Sequence, residues 1–262
     1  MRLIIYLLAV ALLMVGSVLT THAVIEDEGL ILYFSFDEAQ GNTVTDGTGG
    51  GNDGVIDGAE IVGDEVVHGK GAILFDDGND SVTVDSFAAL ENYTDNSYLF
   101  WLNFADLNSG AWNQIIAKKA PGSDRSPGIW TCNRVSLHIH YRFNPGNAGS
   151  LCVGPEGEGD EFGAGDWHHI GGIKEGNNFK FYIDGEVVDE QTVPENHAQG
   201  EEKLYIGKTG YASALFYIDE LFVYDRALSG EEVIDVMEGL LTPVEPKDKL
   251  TTTWGHLKTH RD

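Results

Sequence analysis

The run Phe216–Tyr224 limits the fold more than any other stretch of the chain. In FYIDELFVY, Phe216, Ile218, Leu221 and Val223 carry bulky side chains onto both faces of an extended segment. A strand apolar on both faces is covered on both sides, so it belongs at the centre of a sheet in a layered structure. Asp219 and Glu220 interrupt the run. An acid there must be solvated at a rim, paired or bound to a cation, because an unpaired buried carboxylate is costly. Beyond it, Ser229 and Glu232 have the S-x-x-E spacing of a capping box. That box starts a short helix, with Val233, Val236, Met237 and Leu240 on one apolar face.

The chain upstream reads as short strands between turns. Leu30–Phe36 is a first strand, and residues 39–54, dense in Gly, Asn and Asp, form a long loop with no packed element. Gly69–Phe75 and Ser81–Val84 read as a hairpin. Tyr98–Phe104 places Phe100, Leu102 and Phe104 on one face, and Leu99, Trp101 and Asn103 on the other. Asn113–Lys118 and Arg134–Arg142 follow. In the second of these, Val135, Leu137, Ile139 and Tyr141 alternate with Ser136, His138, His140 and Arg142, which predicts one face in the core and one in water. Trp167, in Asp166–Ile170, is expected in the core, and Asp184-Gly185 is a two-residue hairpin turn. With 33 Gly, 10% aromatic residues and no long amphipathic helix before Ser229, the chain is expected to be one all-β domain.

Several of these segments resemble one family. The closing stretch Ile218-Asp219-Glu220-Leu221-Phe222-Val223-Tyr224-Asp225-Arg226-Ala227-Leu228-Ser229 is similar to the closing motif of the laminin G-like, concanavalin A-like jelly rolls. The opening run from Tyr33 to Asn42, the Gly71–Val82 step and Trp167-His168-His169-Ile170 are similar to other steps of that family. The resemblance spans roughly Leu30 to Leu240. It implies a two-sheet antiparallel jelly-roll β-sandwich with a short C-terminal helix. It also implies an exported carbohydrate-binding or adhesion module rather than an enzyme, and a structural calcium ion. One superfold hosts many functions, so fold follows from it more firmly than function.

Residues 1–23 have the form of a signal peptide: Arg2, an apolar run from Leu3 to Met14, and small residues before Ala23. The domain is expected over 24–242, and 243–262 is a linker with a short basic tail. The protein is thus expected to be secreted, periplasmic or at the cell surface, with no membrane span after cleavage. A net charge of −26, from 42 acidic against 16 basic residues, excludes a basic nucleic-acid footprint. It is compatible with cations, neutral glycans or basic partners. Cys132 and Cys152 are an even count in an exported chain and point to one disulfide, with two free buried thiols as the alternative.

Two constellations carry candidate chemistry. Calcium takes six to eight hard oxygen ligands from Asp/Asn/Gly loops, and Asp37, Asn42 and Asp46 supply them, with Asp219 expected alongside because the family's closing strand lies next to its first. Sugars need aromatic platforms beside planar polar groups. Trp112 and Trp130, read as loop residues, with His138, His140 and Arg142 on the wet face, form the expected ligand-binding set for a glycan or glycosylated surface. Catalysis is disfavoured. The E-x-D-x-x-E strand of this fold's glucanases is missing, with Tyr217 where the first Glu would stand. A polysaccharide-degrading hydrolase or lyase, and a structural protein-binding module, are the alternatives.

Overall fold

The structure is a computed structural model that describes residues 27–106, 112–118, 125–132, 138–144, 146–196 and 201–240. The expected signal segment and C-terminal tail lie outside the described residues, as do residues 134–137 of the expected 134–142 strand. Among the described residues, two antiparallel sheets of eight and ten strands face each other.

The first sheet runs in the order Glu186–Thr192, Asn178–Ile183, Trp167–Glu175, Asn96–Phe104, Phe216–Tyr224, Ala72–Phe75, Glu60–Val62. Leu30–Phe34 also pairs with Phe216–Tyr224. Phe216–Tyr224 therefore has strands on both edges, but Phe216, Ile218, Leu221 and Val223, expected on both faces, all join the core between the sheets, because the register shifts between Asp219 and Phe222; Phe222 and Tyr224 supply the apolar side chains of the other face. The second sheet is ordered Gly157–Glu158, Ala148–Gly154, Ile139–Phe143, Gly128–Thr131, Gln114–Lys118, Leu204–Gly207, Ser81–Val84, Gly54–Asp57, Thr43–Val44, Ala39–Gln40.

The core lies between the sheets. Phe100, Leu102 and Phe104 enter it from one side, and Ile139, Tyr141 and Phe143 from the other. Phe75 and Phe216 stack there at 4.5 Å between ring centroids. Burying each such ring contributes roughly 1.5–3 kcal/mol. The helix Gly230–Met237 packs on the outer face of the first sheet, where Val233 and Val236 join Leu99, Tyr182 and Phe222 in a second, smaller cluster. Both halves of its capping box form, between Ser229 and Glu232. Leu240, expected on the apolar face, is 57% exposed beyond the helix end. Among the described residues no helix is long and apolar enough to cross a membrane.

Four expectations are corrected. Ala72–Phe75 and Ser81–Val84 are not a hairpin: they lie in different sheets, joined by a corner in which Asp80 Oδ2 accepts the N–H groups of Asp76 and Asp77, both at 2.9 Å. Residues 39–54 are not without structure. They contain two short strands, organised by the buried carboxylate of Asp46, which accepts from the N–H of Tyr33, Thr48 and Asn52, the Thr48 hydroxyl and the Asn52 amide. Trp167 lies half-buried on the outer face against Tyr217, not in the core. His138, His140 and Arg142 are not wet: they are 3%, 3% and 7% exposed.

Candidate functional site

The site is built on the outer face of the ten-stranded sheet. Ile139, Tyr141 and Phe143 point to the core, so alternation turns His140 and Arg142 outward. Trp130 lies in the Gly128–Thr131 strand, not in a loop, and pairs directly across from His140. The rings of Trp130 and His140 are 5.8 Å apart, and Trp112 meets His140 edge-on at 5.0 Å. Trp112 is half-buried in a loop at a φ of 57°, a left-handed conformation that a bulky residue holds at a cost of order 1–3 kcal/mol. Tyr211 completes the aromatic wall, edge-on to Trp130 at 5.8 Å. Its loop is tied down by the Thr209 hydroxyl, which donates to Gln114 Oε1 at 3.1 Å, and by the Gln114 N–H, which donates to Ala212 O at 2.8 Å.

Together Trp112, Arg125, Trp130, His140, Asn147 and Tyr211 line a cavity of about 220 Å³. The Arg125 guanidinium lies over the Trp130 ring at 5.2 Å. The indole N–H of Trp130 is buried without a hydrogen-bond partner. Arg142 does not line the cavity but shapes it. Its Nε donates to His140 Nε2 at 3.2 Å, and its Nη1 donates to the carbonyls of Gly149, at 2.7 Å, and Asn147. This clamps the turn that carries Asn147. Burial, followed by the charges of Arg142 and Arg125, pushes the His140 pKa down to about 3, so its ring is neutral at neutral pH. His138 is buried outside the lining, and its carbonyl accepts from the Cys132 N–H.

Of the expected ligand residues, Trp112, Trp130 and His140 line one cavity and Arg142 braces it. Arg125, Asn147 and Tyr211 were missed. Each comes from a turn-rich segment, where the only signal was an Arg, an Asn or a Tyr among Gly, Ser and Pro. The disulfide Cys132–Cys152 forms beside His140, whose ring nitrogen and the two sulfurs lie within 4.8 Å of one another. Because the sulfurs are bonded to each other, the trio offers no thiolates to a metal.

The expected calcium ligands divide. Asp37 Oδ1 accepts the Lys70 N–H at 2.5 Å, and Asp219 Oδ2 accepts those of Val67 and His68 at 2.9 and 3.1 Å. Both therefore face the 67–70 loop, whereas Asp46 is occupied with its own loop and the Asn42 carbonyl accepts from Ile56. Asp219 Oδ1 is buried without a partner. Burial pushes the Asp219 pKa up to about 6, and burial with the nearby Asp219 and Asp37 charges pushes Glu220 to about 8. Glu220 accepts from the Tyr33 hydroxyl at 2.7 Å.

The sequence profile of the concanavalin A-like lectin/glucanases superfamily, in its laminin G form, matches residues 76–234, more than half of the chain. The chain belongs to that superfamily. No curated protein sequence matches it. Among solved structures, this superfamily member is similar to a Trypanosoma rangeli sialidase, at 14% identity and a TM-score of 0.61 over 84% of the chain and 34% of the sialidase. It is similar to the binding domain of Paraclostridial Mosquitocidal Protein 1, at 16% identity and a TM-score of 0.61 over 81% of the chain and 52% of that domain. It is also similar to the botulinum neurotoxin serotype D binding domain, at 17% identity and a TM-score of 0.60 over 81% and 51%. The chain thus spans about a third of the sialidase and about half of each toxin domain. At such identities these neighbours establish the β-sandwich fold alone.

Proposed function

We propose that this superfamily member is an exported carbohydrate-binding module whose site is the Trp112–Trp130–Tyr211 cavity. The observation that carries the reading is the composition of that cavity: three aromatic rings beside planar polar groups from Arg125, His140 and Asn147. Aromatic faces pack against the C–H surfaces of a sugar ring, while guanidinium, amide and imidazole groups hydrogen-bond its hydroxyls. The partnerless N–H of Trp130 is a donor available to such a ligand. Among the described residues the lining has no carboxylate, whereas glycoside hydrolysis in most families needs two across the scissile bond. That favours binding over hydrolysis. An intact disulfide fits an oxidising compartment outside the cytoplasm.

A glycan array probed with the mature chain, with and without calcium, tests this. The expected result is retained glycan binding that Tyr211→Ala weakens at least tenfold. Turnover of an arrayed polysaccharide would replace the reading with the enzyme, and capture of protein but no glycan would replace it with the adhesive module.

Calcium is a separate proposal. Asp37 and Asp219 share the 67–70 loop, and the partnerless Asp219 Oδ1 supports a cation there. Asn42 and Asp46 would join only by giving up their present partners. A cation that binds the folded state alone raises the melting temperature with the logarithm of its concentration. Asp219→Ala should remove that dependence, and a melting curve unmoved by both calcium and chelator would reject the ion.

A further inference from the structure

The disulfide ties two walls of the cavity to each other. Cys132 directly follows the strand Gly128–Thr131, which carries Trp130. Cys152 belongs to the strand Ala148–Gly154, which begins directly after Asn147. Ile139–Phe143 runs between these two strands, and a ring nitrogen of its His140 lies within 4.8 Å of both sulfurs. The bond therefore sits beside a lining residue.

The backbone at Cys152 is constrained. Ile139 pairs with Val153 and Tyr141 with Ser150, so the register shifts and leaves Leu151 and Cys152 as a bulge opposite His140. Cys152 has a φ of 56°, in the left-handed region that a non-glycine residue keeps only where its surroundings impose it. The bond to Cys132 is the covalent restraint there. Just upstream, the carbonyls of Asn147 and Gly149 accept from Arg142 Nη1, and Arg142 Nε donates to His140. Bond, bulge and Arg142 clamp thus form one unit around Trp130, His140 and Asn147, three of the residues that line the cavity.

The two sulfurs differ in access. Cys132 is 0% exposed and Cys152 is half-buried, so an outside thiol reaches Cys152 and the leaving sulfur belongs to Cys132. The charges of Arg142 and Arg125 both act on the His140 ring beside the sulfurs. A thiolate released among positive charges has a lowered pKa and leaves more readily. Release of the left-handed Cys152 acts in the same direction, since strained disulfides are the labile ones.

We propose that Cys132–Cys152 is an exchangeable disulfide that switches the cavity: a low-molecular-weight thiol of the glutathione type reduces it and slackens the wall of Trp130, His140 and Asn147, and reoxidation restores that wall. In the first step the thiolate attacks Cys152 Sγ, the S–S bond breaks, and its electron pair leaves on Cys132 Sγ. In the second, another thiolate attacks the external sulfur of the mixed disulfide and releases the Cys152 thiolate. Two external thiols become one external disulfide, the protein disulfide takes up two electrons, and the two thiol protons end on Cys132 and Cys152. As a control on sugar binding, the switch rests on the function proposed above; as a change in the cavity walls, it stands without it.

Heteronuclear NMR of the mature chain in buffers of reduced and oxidised glutathione tests the switch. The indole N–H signals of Trp112 and Trp130, assigned from Trp112→Phe and Trp130→Phe, should shift on reduction and return on reoxidation. Those of Trp101 and Trp167, in the other sheet, should stay. Alkylation and mass spectrometry should find both thiols free in a chain that is still folded, and brief trapping should find glutathione on Cys152 rather than Cys132. The tightest oligosaccharide from the array should bind the reduced chain at least tenfold more weakly. The double variant Cys132→Ser, Cys152→Ser should bind it as the reduced chain does and ignore glutathione; if that variant does not fold, the wild-type spectra decide. A bond that glutathione leaves intact in the folded chain, reduction that unfolds the chain, unmoved Trp112 and Trp130 signals, or equal sugar affinity in both states would overturn the proposal. If no array sugar binds the oxidised chain, the sugar reading fails, and the indole shifts still decide the switch.

Discussion

Packed between Trp112 and Trp130, with Arg142 donating to its ring, His140 remains neutral far below its ordinary range. In the unfolded chain the same ring takes up a proton near 6.5. A folded pKa below the unfolded one means that the unfolded state binds more protons in between, so stability falls as pH drops from about 6.5 towards 3. His140→Gln should lessen that acid sensitivity, seen as a smaller drop in melting temperature between pH 8 and pH 4. Sugar binding by the wild type should be the same at pH 8 and pH 5.5, because His140 does not titrate there. The alternation of Ile139, Tyr141 and Phe143 with His140 and Arg142 was legible in the sequence. The burial of the polar pair was not. A period of two reports that a strand has two faces, not what covers them, and here Trp112 from a loop and the carbonyls of Asn147 and Gly149, at the start of the neighbouring strand, do the covering.

At the scale of elements, three local devices hold segments that propensity alone leaves open. The C-terminal helix depends on its cap. Arg226 and the Ser229 N–H hold the Glu232 pKa down to about 2. Ser229→Ala should cost about 1 kcal/mol. The advantage of wild type over Glu232→Gln should be full above about pH 4.5 and vanish near pH 2, since a carboxylate with a depressed folded pKa stabilises only while ionised. The S-x-x-E spacing made this helix readable. The 39–54 segment was not readable, because its organiser is one carboxylate, and composition shows only turn formers. Asp46→Ala should destabilise the fold by roughly 2–3 kcal/mol and open this segment to proteolysis, as several N–H groups lose a charged acceptor. The disulfide closes a chain separation of 20 residues beside the cavity. Replacing both cysteines with Ser should cost about 3 kcal/mol in the chain-entropy view, read as a lower denaturant midpoint.

For the whole molecule, the sandwich follows from patterns that repeat along the chain. The doubly apolar Phe216–Tyr224 strand lies inside a sheet, and Asn96–Phe104 divides its faces as its alternation predicts. The sheet assignment of Ser81–Val84 was not legible, because a tight turn between two extended runs looks the same whether the chain folds back in one sheet or crosses to the other. The cavity has the same limit. Trp112, Trp130 and His140 were visible as residues, while Arg125, Asn147 and Tyr211 reach it from three separate loops that only the closed fold brings together. The proposed role of this assembled cavity is to hold a sugar. The most direct test is a crystal structure of the mature chain with the tightest oligosaccharide from the array. Sugar rings are expected against Trp112, Trp130 and Tyr211, with a hydroxyl accepting from Trp130 Nε1. A bound oligosaccharide that leaves this cavity to solvent and lies elsewhere on the molecule would contradict it.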